Sequence, residues 1–81
     1  MKLAVSNNAK LILEEMLYGE IVCVKNDSGN IVEARTTGAG ARNIAPHYVY
    51  ELLKYDYIEQ LDYLDSDIVK YKISKKGKKA L

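Results

Sequence analysis

The residues best suited by type to nucleophilic or acid–base chemistry are the one cysteine and the one histidine, Cys23 and His47. Neither has the company such chemistry needs. A cysteine nucleophile works as a thiolate, prepared by a base or a positive environment. Cys23 instead stands in the run Ile21, Val22, Cys23, Val24, where a small buried hydrophobe is the expected reading. His47 has no Ser or Cys fixed beside it by a recognisable motif and is expected as an exposed residue of a first helical turn. No His/Cys spacing suits zinc, and the aspartates are scattered rather than gathered in a calcium loop. The sequence therefore predicts no catalysis, no metal and no cofactor.

Anion binding is the next chemistry to weigh. RTTGAGARN, from Arg35 to Asn43, sets two glycines and two alanines between two arginines, ahead of a helix start. Backbone N–H groups in such a loop can cradle a phosphate, helped by the helix dipole. The stretch lacks the Lys and Ser/Thr of a nucleotide-binding P-loop, and the strand before it belongs to a hairpin rather than a βαβ unit. A plain connector is the competing reading.

Charge is distributed more unevenly than the net of +1 suggests. From Asn43 to Asp67, Glu51, Asp56, Glu59, Asp62, Asp65 and Asp67 stand against Lys54 alone, a net of −5. From Ile68 to Leu81, Lys70, Lys72, Lys75, Lys76, Lys78 and Lys79 give +6. A dipolar molecule is expected. The lysines suit phosphate contact or simply a solvated helix whose cations favour the negative end of its dipole. The acidic stretch, with Glu59, Asp62, Tyr63, Asp65 and Asp67, suits a basic partner or mimicry of nucleic-acid charge spacing.

These residues must be positioned by a small frame. Eighty-one residues support one core, so a single domain over 1–81 is expected. The hydrophobic share of 48% and charged share of 28% are those of a globular chain, and no apolar run approaches the ~20 residues of a membrane span. A lone cysteine and no leader-like stretch before the first helix predict a cytoplasmic location. Seven tyrosines without Phe or Trp mean that every aromatic carries a hydroxyl needing water or a partner.

Between Ser6 and Tyr18 the apolar residues Ala9, Ile12, Leu13, Met16 and Leu17 mark an amphipathic helix. Ser6, Asn7 or Asn8 caps it, Gly19 ends it in the left-handed conformation, and Glu14 and Glu15 face solvent. Two β-rich runs around Asn26 to Asn30 predict a hairpin, with Val32, Ala34 and Thr36 on one face and Glu33 and Arg35 on the other. After the connector, Pro46 starts a helix reaching about Tyr55, with Ile44 stapled to Val49. Val49, Leu52 and Leu53 are its buried side, leaving His47, Tyr50, Glu51 and Lys54 outward. Tyr57 to Leu64 and Ile68 to Ile73 are two further strands, the second turning Val69, Tyr71 and Ile73 one way and Lys70 and Lys72 the other. Ser74 caps a short closing helix. The fold class is α+β.

Leu52 and Leu53 at a helix end, then Tyr57 and Ile58, then Ile73, Ser74, Gly77 and Leu81 at the close, resemble the C-terminal half of winged-helix domains over residues 44–81. In that family a recognition helix ends in a Leu-Leu-x-x-Gly-Leu-Ile-Glu type turn, and the wing closes on a Tyr-x-Leu-Thr-x-x-Gly-x-x-Leu type ending. Here Asp56 stands at the glycine position, where the left-handed conformation carries a cost, and Ala45 replaces the usual hydroxyl cap. A hairpin and a Gly-containing loop stand where the first helix of a helix-turn-helix would be. The resemblance implies a helix, hairpin, helix, wing, short-helix domain that binds nucleic acid. The residues that would carry it are Arg35, Arg42, His47, Tyr50, Lys54, Lys70, Lys72, Lys75 and Lys76. The alternative expectation is a small phage or mobile-element protein that inhibits a host protein complex in the manner of an anti-CRISPR protein, docking through its acidic ribbon. No membrane partner is expected, and a homodimer is left open.

Overall fold

The computed structural model describes residues 5–38, 41–61 and 67–81. In chain order they form α1 (Asn7–Glu15), β1 (Ile21–Lys25), β2 (Ile31–Thr36), β3 (Asn43–Ile44), α2 (Pro46–Lys54), β4 (Ile58–Gln60), β5 (Ile68–Ile73) and α3 (Lys75–Ala80). Among the described residues this is a small α+β domain of three helices and a five-stranded antiparallel sheet, ordered β3-β2-β1-β5-β4. β1 is the central strand, held by β2 on one side and β5 on the other.

Ser6 opens α1, its Oγ accepting the Ala9 N–H at 3.3 Å. Ala9, Ile12, Leu13 and Met16 fall on one face and are buried. Leu17, expected on the same stripe, is 46% exposed, because the helix has already closed at Met16, whose N–H is shared between the Ile12 and Leu13 carbonyls. Nor does Gly19 end the helix in the left-handed region: Met16 closes it in a right-handed conformation, and Gly19 is not among the positive-φ residues. Gly19 serves a close approach instead. A Cβ there would run into the Thr37 carbonyl, just where Glu20 and Thr37 exchange hydrogen bonds of 2.9 Å.

The expected hairpin forms. Asn26 organises its turn, its side-chain oxygen accepting from the N–H groups of Ser28 and Asn30. The expected alternation on β2 fails at one residue. Val24 pairs with Glu33 and Lys25 with Ile31, so Val32 is the extra residue of a β-bulge. Ile31, Ala34 and Thr36 therefore turn inward, while Val32, expected on the buried face, is 50% exposed.

The stretch expected as a connector belongs to the sheet at both ends. Arg35 and Thr36 finish β2, and Asn43 and Ile44 form β3 against Arg35 and Ala34. Thr36 and Arg42 close it, with Thr36 N–H on the Arg42 carbonyl at 2.9 Å and Arg42 N–H on Thr36 Oγ1 at 3.1 Å.

Pro46 starts α2, and Ala45 before it offers no side-chain cap. Ile44, Val49 and Leu52 are buried in the core, with Leu53 partly buried against it. The end of α2 is a Schellman turn. Tyr57 N–H reaches the Leu52 carbonyl at 3.1 Å, Asp56 N–H reaches the Leu53 carbonyl at 3.0 Å, and Asp56 takes φ 60°. Asp56 thus adopts the left-handed conformation expected of the glycine position.

Of the expected strand from Tyr57 to Leu64, the described residues place Ile58–Gln60 in β4, and Leu61 N–H still reaches the Lys70 carbonyl at 2.8 Å. Residues 62–66 of that ribbon lie outside the described residues. On β5, Val69, Tyr71 and Ile73 are buried while Lys70 and Lys72 face the other way, as their alternation predicts. Cross-strand rows such as Ile21, Thr36 and Tyr71, and Cys23, Ala34 and Val69, make the inner face of the sheet. α1 and α2 cover it, and all these apolar side chains belong to one buried cluster.

Candidate functional site

The outward side of α2 is narrower than its sequence spacing suggests. His47 is exposed, its ring 4.1 Å from that of Tyr48, and Lys54 is exposed with Nζ 5.6 Å from the Tyr55 ring centre. The other two members are tied down. Tyr50 is 44% exposed, but its hydroxyl accepts the Ile31 N–H at 2.8 Å, pinning α2 to the first residue of β2. Glu51, expected on the outer face, is half-buried and turned toward α1, accepting from Ser6 N–H at 2.8 Å and from Ser6 Oγ at 3.0 Å. Nearby, Asn8 Nδ2 donates to the Tyr48 hydroxyl at 2.8 Å. Sequence spacing gives the helix face but not the neighbour on it, so these pins had no signal in the sequence.

The basic residues separate into two groups. Three of the candidate cations are engaged within the chain: Arg42 with Glu15 at 3.2 Å, Lys70 with Glu20 at 3.7 Å, and Lys72 with Glu59 at 3.2 Å. Lys72 and Glu59 are direct cross-strand partners, so their pairing follows from a register the sequence does not state. For the anion-cradling alternative to a plain connector between Arg35 and Arg42, the described residues do not turn the two arginines toward a common point. Arg42 Nε and a terminal nitrogen both turn to Glu15 Oε1, and Arg35 stands on the outer face of the sheet. Residues 39–40 lie outside the described residues.

The second group is on α3. Lys75, Lys76, Lys78 and Lys79 are exposed and have no ion pair among the described residues. The helix that carries them is short but firmly seated. Ser74 Oγ accepts the Gly77 N–H at 3.0 Å and donates to the Asp56 carbonyl at 2.6 Å, while Ser74 N–H donates to the Tyr57 carbonyl at 2.9 Å. Gly77 lies so close to Tyr57 and Ile73 that a Cβ would collide with the Tyr57 carbonyl. α3 therefore starts against the residues that end α2, bringing its lysines to the end of the molecule that carries Lys54.

Of the acidic set, Glu59 is spent on Lys72, and Asp67 is exposed with its backbone carbonyl accepting the Lys25 N–H at 2.7 Å. Asp62, Tyr63 and Asp65 lie outside the described residues. Cys23 is fully buried, and burial pushes its thiol up from 9.0 to about 11, against a smaller opposing pull from the Lys25 charge. Its proton is thus held where a nucleophile would need to lose it.

Among the described residues no three His, Cys, Asp or Glu side chains gather as a metal ion would require, and no helix is long and apolar enough to cross a membrane. No protein-family model, curated protein or solved structure matches this chain.

Proposed function

We propose that the chain is a non-catalytic, winged-helix-like module that binds nucleic acid through its phosphate backbone. The observation that carries the reading is α3: four exposed lysines, without ion pairs among the described residues, on a helix fixed to the end of α2. Phosphate contacts supply most non-specific affinity, and cations carried on a fixed element give them without ordering any backbone. Support for the winged-helix part comes from the Schellman turn at Asp56, the β4–β5 hairpin after α2, and the Ser74 cap with Gly77 packed beneath it. In this reading His47, Tyr50 and Lys54 line the side of α2 turned toward the duplex, and Lys54, Lys75 and Lys76 hold its backbone. Arg42, Lys70 and Lys72 contribute little, because each already has an acidic partner.

The test is affinity for a short duplex as a function of salt. A linear fall of log affinity with log salt is expected, and K75E with K76E should both weaken binding and flatten the slope by about 1 for each lost contact. A salt-independent affinity, or a double variant that binds as well as the parent, overturns the reading.

A second reading, docking of the acidic ribbon on a basic host protein complex, draws on the net of −5 between Asn43 and Asp67. The Lys72–Glu59 pair removes one charge of each sign from the ribbon, and Asp67 is its other exposed acidic member among the described residues. Changing Asp62, Asp65 and Asp67 to Lys should abolish capture of a protein partner that survives nuclease treatment. Capture unchanged by those reversals counts against it.

A further inference from the structure

The helices α1 and α2 cover only the inner face of the sheet. On the outer face, direct cross-strand pairing aligns two rows: Arg35, Val22 and Lys70 in one, Glu33, Val24 and Ile68 in the next. The middle of each row is a half-buried valine, and the bulge adds Val32, half exposed, to the same side. Glu33 and Arg35 are exposed neighbours two residues apart on β2, with no ion-pair partner among the described residues. Lys70 is different, being held by Glu20.

These rows are self-complementary. A two-fold axis lying in the plane of the face, perpendicular to the strands and midway between the rows, sets each row of one copy on the other row of its partner. Glu33 then meets Arg35 of the second copy, twice by symmetry, and Val22 meets Val24 between them. The Lys70 stem lies over Ile68 with its ammonium still directed to Glu20. A groove of about 470 Å³ bordered by Val22, Val24, Glu33 and Arg35 gives room for the opposing side chains.

We infer that the outer sheet face is the contact between two copies of this chain in an isologous, face-to-face homodimer. A second copy is favoured over an unrelated peptide because both charges of the pair come from the same strand in the order that a two-fold requires. The face is distinct from the α3 lysines, so the dimer forms without nucleic acid.

Sedimentation equilibrium of the nucleic-acid-free chain over a wide concentration range tests this. A reversible monomer–dimer equilibrium is expected. E33R and R35E should each raise the dissociation constant about tenfold, since each replaces two attractive pairs by two repulsive ones. The two reversals combined in one chain should restore association, because the pair is remade with its ends exchanged. V24K, at the centre, should abolish the dimer, with circular dichroism verifying that each variant keeps its fold. Monomer mass at every concentration overturns the inference. So does a dimer indifferent to either reversal, or a double variant weaker than both single ones.

Discussion

Asp56 is the one non-glycine residue at positive φ among the described residues, and its position is fixed from both sides. The Schellman turn needs a left-handed residue there, and its carbonyl must aim at Ser74 Oγ to seat α3. The conformation costs an L-residue of this kind about 1 kcal/mol. Asp56→Gly should therefore raise stability by about 0.5 kcal/mol, and Asp56→Val should lower it by at least about 1 kcal/mol, both read from urea unfolding. Cys23 gives a second prediction at this scale. Its thiol is held near 11 in the folded chain against 9.0 ordinarily. Between those values the folded state keeps a proton that the unfolded state has released, so its contribution is complete below pH 9 and is lost as pH rises toward 11. Cys23→Ala should show a shallower decline of stability across that window than the parent, whatever it loses at neutral pH from the vacated volume. An unchanged slope would place the alkaline sensitivity on other groups.

At the scale of elements, the junction between α1 and α2 rests on a polar contact as well as an apolar seam. Glu51 takes both donors of Ser6 while Ser6 Oγ caps Ala9, so one carboxylate fixes where α1 begins and supplies negative charge at its N-terminus. Glu51→Ala should cost about 1 kcal/mol, with faster amide exchange in the first turn of α1. A loss too small to measure would assign the junction to packing alone. This contact also marks the limit of what the sequence disclosed. The apolar spacing of α1 and α2, the Asn26 turn, the alternation of β5 and the Ser74 cap all express local rules, and each is read from a few neighbouring residues. Glu51, Tyr50 and Arg42 looked equally available by spacing, yet each is engaged by a residue at least 19 positions away. The bulge at Val32 was missed because a single unpaired residue shifts the phase of a strand without changing its composition. β3 was missed because two residues carry no periodicity.

For the whole molecule, the sheet order puts a strand of the N-terminal half at the centre. Residues 44–81 carry the motif-like spacing, but β5 needs β1 beside it, and the inner faces of α2 and β5 need α1 and β2 over them. A peptide of residues 44–81 should show no cooperative melting transition, whereas the full chain should unfold in one step. A cooperative transition in the peptide would mean that its hairpin and helices carry a core of their own. The central strand is thus contributed by the half with the weaker motif, and the two halves share one core.

The same strand order has a consequence for how copies of this chain can meet. Among the described residues the sheet ends on β3 and β4, two and three residues long, and Pro46 follows β3 after a single residue. So short a border exposes few free backbone donors and acceptors and gives an incoming strand almost nothing to copy. Along these described margins, growth of the sheet from molecule to molecule is disfavoured, and the proposed face-to-face contact closes on itself at two copies. Such short outermost strands make the described margins of the sheet poor templates for fibre growth.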